Sequence, residues 1–241
     1  MQIIGHRGAR GEAPENTLGG FYYLQHLGIR AVEFDVRQLT DGTLFVMHDD
    51  NFLRTAGKLS SVYSCTSSDL KHYDHRAQWK NWTSTESTPL LSEVLTILRD
   101  FRHIEVEVKT VKDTATAERL IDTLQQQLQG FEQSATITSF DEKILIALQK
   151  QNSHFQRGLL IEDNIKSQAI EKAIKYNCSR IGWKDTLATP DMIELSKLAG
   201  LAVSVWTVND VERAKILQDQ GIDGLITDFP KTMQQQLHVL G

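Results

Sequence analysis

Cysteine is nearly absent: the 241 residues hold two, Cys65 and Cys178, far apart and in no metal-spacing pattern. That gives no basis for a disulfide framework or a cysteine-built zinc site, and two reduced thiols are expected. No apolar run approaches the length of about 20 residues that crosses a bilayer. No basic amphipathic segment is present either, so stable membrane association is not expected. A basic surplus is also missing, since 26 Lys and Arg face 31 Asp and Glu for a net charge of −5. A nucleic-acid partner would need a basic face, and the balance argues against one. The start, Met1-Gln2-Ile3-Ile4, carries no basic region and runs at once into His6 and Arg7. That leaves no room for a secretory signal, and a cytoplasmic location is expected. Neither internal repeats nor linkers occur.

What is present is an ordinary globular composition, 40% hydrophobic and 24% charged, enough for a substantial core. Short β-branched runs at 2–5, 31–37, 103–109, 135–140, 156–161, 180–184, 202–208 and 224–228 alternate with amphipathic helical stretches. Repeated strand–helix alternation implies right-handed crossovers and a parallel sheet. Eight such units in a chain of this length are the number at which the sheet closes into a (β/α)8 barrel. Leu120, Ile121, Leu124 and Leu128 form a stripe at helical spacing. Thr189-Pro190-Asp191 reads as a helix start closed by Gly200, and Asn209 with Glu212 resembles a capping box closed by Gly221. Thr40-Asp41-Gly42-Thr43 signals a hairpin between 32–38 and 44–47. The stretch 49–89 is too long for an ordinary barrel loop. It holds Phe52, Tyr63, Tyr73, Trp79 and Trp82, as expected of a small packed insertion in a chain that otherwise forms one barrel domain over 1–241.

Reacting residues in such barrels sit at the C-terminal ends of strands. Those ends offer His6-Arg7, Glu33 with Asp35, Glu107 with Lys109, Lys184, Trp206 and Asp228. Residues two apart on a strand share a face, so Glu33, Asp35 and Glu107 point into the barrel while Val32, Phe34, Val36, Val106 and Val108 face the helices. Three inward carboxylates repel unless a cation joins them. Hard oxygen ligands suit Mg²⁺, Ca²⁺ or Mn²⁺. The alternative is a buried salt-bridge network of Glu107 with Lys109 and Arg37. A two-residue turn at Asp41-Gly42 places His48 opposite Asp35, beside the carboxylates and on the side of His6. Two histidines there suit general acid–base work; His26, His72, His75, His103, His154 and His238 lie elsewhere. Arg7 and Lys109 supply positive charge for a phosphate, with a salt bridge from Arg7 to Glu15 as the alternative. No serine, threonine or cysteine stands at the strand ends of His6 and Glu33, so the protein offers no evident nucleophile.

His6-Arg7-Gly8, Pro14-Glu15-Asn16-Thr17, Glu33-Phe34-Asp35-Val36, Asp41-Gly42 and His48-Asp49 occur in an order and spacing that resemble the glycerophosphodiester phosphodiesterase family, in its short cytoplasmic bacterial type. The likeness continues through Glu107-Val108-Lys109, Ser139-Phe140, Trp206-Thr207-Val208-Asn209 and Asp223-Gly224-Leu225-Ile226-Thr227-Asp228, nearly the whole chain. The resemblance implies a (β/α)8 TIM barrel with an insertion after the second strand region. It also implies metal-dependent hydrolysis of glycerophosphodiesters, as small-molecule substrates, to sn-glycerol 3-phosphate and an alcohol. By the same resemblance Glu33, Asp35 and Glu107 match ligands of one divalent cation (Mg²⁺, Ca²⁺ or Mn²⁺), and His6 and His48 match a catalytic pair. Arg7 and Lys109 match phosphate contacts, Glu15 a site-lining acid, and Trp206 an aromatic wall. Glu105 stands where the family commonly has asparagine; its neutralising partner is left open, with Lys184 and Arg37 as candidates. A phosphodiesterase acting on lysolipid at a membrane surface and a non-catalytic phosphate-binding barrel are the rival readings.

Overall fold

The computed structural model describes residues 1–237; His238 and the rest of 238–241 lie outside the described residues. Nine strands form, β1 (Gln2–His6), β2 (Ala31–Gln38), β3 (Leu44–Val46), β4 (His103–Val108), β5 (Ala135–Ser139), β6 (Gln156–Ile161), β7 (Arg180–Lys184), β8 (Ala202–Trp206) and β9 (Gly224–Thr227). Around them lie α1 (Leu18–His26), α2 (Leu53–Ala56), α3 (Leu91–Ile97), α4 (Thr114–Gln127), α5 (Glu142–Lys150), α6 (Gln168–Lys175), α7 (Pro190–Leu198), α8 (Val211–Asp219) and α9 (Pro230–Leu237). The parallel strands run β1-β9-β8-β7-β6-β5-β4-β2, and a β1–β2 pairing closes the ring of eight. The fold is the expected TIM barrel with one added strand, β3.

Alternation along each strand makes the two layers. Val32, Phe34, Val36, Ile104, Val106 and Val108 are fully or almost fully buried beneath the helices. Their neighbours Glu33, Asp35, Glu105 and Glu107 take the inner face. Local caps end the helices where expected: Thr189 accepts from the Met192 amide and starts α7, and Gly200 and Gly221 take the left-handed φ values of 76° and 73° that favour glycine. The expected Asn209 capping box does not form. Asp210 caps α8 instead, accepting from the Arg213 amide, which leaves the Asn209 side chain free to turn toward β9.

β2 has two edges with different neighbours. One pairs with β4 from Ala31 to Val36. The other pairs with β1 at Val32 and Glu33, then with antiparallel β3 at Val36, Arg37 and Gln38. The β2–β3 hairpin therefore stands above the end of β1 and returns the chain toward His6. Its register differs from the expected one by a residue: Val36 opposes Val46, and the Met47 amide donates to the Asp35 carbonyl at 3.0 Å. The cause is the turn. Leu39 bonds Thr43, so Thr40, Asp41 and Gly42 form a three-residue loop with Gly42 at φ 90°, the geometry that adds one residue to a tight hairpin. Met47, not His48, opposes Asp35.

The insertion at 49–89 packs around its own cluster, in which Phe52 stacks on Tyr73 at 3.5 Å beside Phe45, Met47, Val62 and Leu70. Tyr63 stays outside it, half exposed. The Trp79 indole donates to the Arg10 carbonyl at 3.0 Å, and Trp82 donates to Glu86, which also accepts from the Gly19 amide. These bonds anchor the insertion over the loop after β1. Among the described residues no helix is long and apolar enough to cross a membrane.

Candidate active site

At the C-terminal end of the barrel a cavity of about 400 Å³ is lined by His6, Arg7, Glu33, His48, Glu107 and Trp206, among others. Glu33, Asp35 and Glu107 each present a carboxylate oxygen within 4.8 Å of the others. The sheet register explains the convergence, because Asp35 and Glu107 are direct partners on β2 and β4. All three are buried, and their environments are unequal. Burial pushes Asp35 up, but Lys109 at 3.1 Å and Arg7 at 3.2 Å, with an Asn16 amide bond of 2.8 Å, hold it well below the usual range. Among the described residues, Glu33 accepts a hydrogen bond only from the Arg7 backbone, at 3.1 Å. Burial, then the neighbouring Asp35 and Glu107, raise it well above the usual carboxylate value. Glu107 is raised by burial and Asp35 despite a short contact with Lys109.

The chemistry of this donor set fits a hard divalent ion. Within the group, three carboxylates and the cations Arg7 and Lys109 leave one net negative charge. A dication would turn that into one positive charge, the complement of a phosphodiester. The salt-bridge alternative is realised only in part: Lys109 pairs with Glu107, whereas Arg37 donates to the His48 carbonyl and the Tyr63 hydroxyl.

Local backbone conformation aims the first loop. Arg7 takes φ 51° and Gly8 φ 87°, which bends the chain back over the site and points the Arg7 amide at Glu33. A left-handed non-glycine residue costs roughly 1–2 kcal/mol. Gly5 is required because a Cβ there would lie 2.0 Å from the Gly8 carbonyl oxygen. Asn16, at φ 55°, tolerates the same region and reaches Asp35.

Both histidines line the mouth, each with a carboxylate on Nδ1. His6 Nδ1 lies 2.6 Å from Asp228 Oδ1, with Nε2 3.9 Å from Glu33. Burial lowers the His6 pKa, and Asp228 opposes that shift. Asp228 Oδ2 accepts from Asn209 Nδ2 at 2.8 Å, while Asn209 Oδ1 accepts from the Asp228 amide and the Thr227 hydroxyl. That fixes the Asn209 amide, and through Asp228 the imidazole ring. His48 Nδ1 lies 2.7 Å from Asp49 Oδ1, and Asp49 Oδ2 accepts from Arg54 Nε at 2.7 Å. Arg54 also donates twice to Glu15, at 2.7 and 2.6 Å, and Glu15 accepts from Arg7 at 2.9 Å. Burial opposes it, yet Arg54 and Arg7 bring Glu15 down to about 2. One arginine from the insertion thus ties the His48 partner to the Arg7 partner.

Trp206 forms a wall, edge-to-face with Phe140 at 5.3 Å, its indole donating to the Gly182 carbonyl at 3.2 Å. Deeper in the barrel, Glu105 is fully buried. Neither Lys184 nor Arg37 neutralises it. His103 at 2.9 Å, the Ser204 hydroxyl at 2.6 Å and Arg180 at 3.5 Å surround Glu105 Oε1. Burial pushes this acid up, but Arg180 and His103 bring it down to about 2.

The structure gathers His6, Arg7, Glu33, His48, Glu107, Lys109 and Trp206 around the cavity, with Asp35 and Glu15 bonded to them, and leaves Lys184 exposed outside it; His48 arrives by a register one residue from the expected one. The sequence suggested no part in the site for Asn16, Asp49, Arg54, Asn209 or Asp228. Asp228 stood at a strand end, and Asn16, Asp49, Asn209 and Asp228 all lay within the ordered motifs; Arg54 carried neither signal.

Comparison with known proteins places these residues in a family context. The sequence model of the glycerophosphoryl diester phosphodiesterase family matches residues 6–232. A glycerophosphodiester phosphodiesterase of Caldanaerobacter subterraneus subsp. tengcongensis is 29% identical over 234 residues, covering 96% of this chain and 95% of that protein. One from Bacillus altitudinis is 26% identical over 232 residues, covering 95% of each. The solved structure of an Oleispira antarctica phosphodiesterase in complex with the product sn-glycerol-3-phosphate superimposes with a TM-score of 0.89 at 25% identity, covering 99% of this chain and 97% of the other.

Proposed function

The chain belongs to the glycerophosphoryl diester phosphodiesterase family, and from that premise we propose that it hydrolyses glycerophosphodiesters to sn-glycerol 3-phosphate and an alcohol. The carrying observation is the convergence of Glu33, Asp35 and Glu107 within 4.8 Å at the barrel mouth, in the cavity that His6 and His48 also line. The three acids would hold one divalent cation, of the class Mg²⁺, Ca²⁺ or Mn²⁺, which would supply Lewis-acid neutralisation of the anionic phosphoryl oxygens.

The protein's own groups perform the rest. Arg7 and Lys109 set fixed positive charge beside the phosphate and stabilise the charge that grows at phosphorus. His6 and His48 share the acid and base roles. A glycerophosphodiester carries a free hydroxyl on the carbon next to the esterified one, and no serine, threonine or cysteine stands at the strand ends of His6 and Glu33 to compete with it. One imidazole takes the proton of that hydroxyl as its oxygen bonds to phosphorus. The other protonates the alcohol as the second ester bond breaks. The roles reverse when water opens the cyclic phosphate. A hydroxyl already held in the substrate has an effective molarity that can reach about 10⁵–10⁸ M. Trp206 and Phe140 wall the pocket against the carbon skeleton.

The test is turnover of a glycerophosphodiester beside its analogue lacking the neighbouring hydroxyl, in wild type, His6→Ala and His48→Ala. The analogue should react at least about 100-fold more slowly, and each variant should lose on the order of 10²–10⁴ in turnover. Comparable turnover of the analogue would leave direct attack by water as the route. Full activity in either variant would remove that histidine from the mechanism.

A further inference from the structure

Beside the catalytic cavity lies a larger groove of about 840 Å³, formed between the β2–β3 hairpin and the start of α4. Lys109 and Thr110 line both spaces, so the groove adjoins the cavity at Lys109, the residue assigned to the phosphate. The inner cavity, at about 400 Å³, has room for glycerol phosphate; the groove has room for whatever is esterified to it. Its charge is uneven. Arg37, Lys109, Lys112 and Arg119 face it, against Asp41 and Asp122.

Two of these cations lack a carboxylate partner. Among the described residues, no carboxylate lies within 4.0 Å of Arg37 or Arg119. Arg37 is held rigidly, with Nε at 3.0 Å and Nη2 at 2.6 Å from the His48 carbonyl and Nη1 at 3.0 Å from the Tyr63 hydroxyl. Three bonds leave part of its five-donor fork unspent. Arg119 touches only the Thr116 hydroxyl, at 3.2 Å. The two acids are differently placed. Asp41 accepts from the Thr43 amide at 2.9 Å within its own turn, and Asp122 accepts from Gln126 at 3.2 Å within its own helix. Arginine forks without carboxylate partners, lining a cleft, are the arrangement that recognises carboxylate or phosphate.

We infer that this groove seats the departing alcohol and favours diesters whose alcohol carries an acidic group of its own, a second phosphodiester or a carboxylate. The inference rests on the phosphodiesterase reading above. It assigns Arg119 to substrate choice and to no chemical step, and Arg37 to the near end of the groove.

The experiment compares three substrates that differ in the charge of the released alcohol: glycerophosphocholine (cationic), glycerophosphoglycerol (neutral) and bis(glycerophospho)glycerol (anionic). Each is assayed at low and high salt, in wild type, Arg119→Gln and Arg119→Glu, with divalent cation present. The expected result is a kcat/KM for the anionic substrate at least about 10-fold above that for the choline ester at low salt, shrinking as salt screens it. Arg119→Glu should abolish that preference through KM and leave the neutral substrate unchanged. Cleavage of all three without charge preference, or an Arg119 effect shared equally by all, overturns the inference alone. Failure to cleave any of them overturns the phosphodiesterase reading and this inference with it.

Discussion

Replacing Glu33 by glutamine should stabilise the metal-free protein and remove its response to metal. Glu33, Asp35 and Glu107 lie within 4.8 Å of one another, and at an effective dielectric of about 20 each ionised pair at that distance repels by about 3.5 kcal/mol. Arg7 and Lys109 offset part of this, mostly at Asp35. The net effect at Glu33 is a pKa well above the usual carboxylate value, caused by burial and then by Asp35 and Glu107. A raised folded-state pKa means that the fold holds the proton more tightly than the unfolded chain does. That stabilisation is complete below the ordinary carboxylate range and is lost as pH rises through the raised value. Once pH exceeds the ordinary carboxylate range the fold carries this cost, and Glu33→Gln should return about 1–3 kcal/mol. Its carbonyl can still accept from the Arg7 amide. For a chain of this size 1 kcal/mol shifts Tm by roughly 2–4 °C, so the variant in chelator should melt about 2–12 °C above wild type. Wild type should regain about 5–10 °C when metal is added to a hundred times its Kd, and the variant little. The assay is a thermal melt of both proteins at pH 8 with chelator and with excess Mg²⁺, Mn²⁺ or Ca²⁺. A variant that melts lower than wild type in chelator, or that gains as much from metal, refutes the reasoning.

Asp228→Asn should cost on the order of 10²–10⁴ in kcat with little change in KM, measured by steady-state kinetics. Asn209 Nδ2 demands an acceptor from residue 228, which turns the new amide nitrogen toward His6 and imposes the wrong tautomer. Adding Asn209→Asp should restore turnover, and no recovery in the double variant would refute the tautomer account. Arg54→Met should lower turnover at least about 10-fold while the barrel stays folded, because it frees both Asp49 and Glu15; kinetics beside circular dichroism checks it, and unchanged kcat would count against the coupling. His75 is buried between the Thr55 and Thr88 hydroxyls, at 2.7 and 2.6 Å, and burial lowers its pKa from 6.5 to about 4. A lowered folded-state pKa means stability that is complete above 6.5 and lost as pH falls toward 4, by roughly 3 kcal/mol. Urea unfolding across that range should show the loss in wild type and not in His75→Gln; equal slopes would refute it.

Most of the barrel was legible because each parallel strand is buried on its outer face and reads as a β-branched run between helical stretches. The carboxylate triad was legible for the same reason, since a period of two is enough to put Glu33 and Asp35 on one face. His48 shows the limit. A left-handed Gly42 lengthens the turn by one residue, and no count of apolar positions reveals that. The partner of Glu105 was missed because Arg180 stands three strands away around the ring, and inward neighbours across a barrel depend on its closure. Arg54 was hidden in the insertion, whose short helix and turns carry no periodicity to orient a side chain. Asn209 looked like a helix cap because its residue type serves caps well, and only the tertiary structure shows it committed to Asp228.

The most direct measurement of the central claim is release of sn-glycerol 3-phosphate from a glycerophosphodiester by the dialysed full chain, with chelator and after metal is restored. Turnover should vanish in excess chelator, return with Mg²⁺, Mn²⁺ or Ca²⁺ in wild type, and stay absent in Asp35→Asn. Full turnover in excess chelator would contradict that claim.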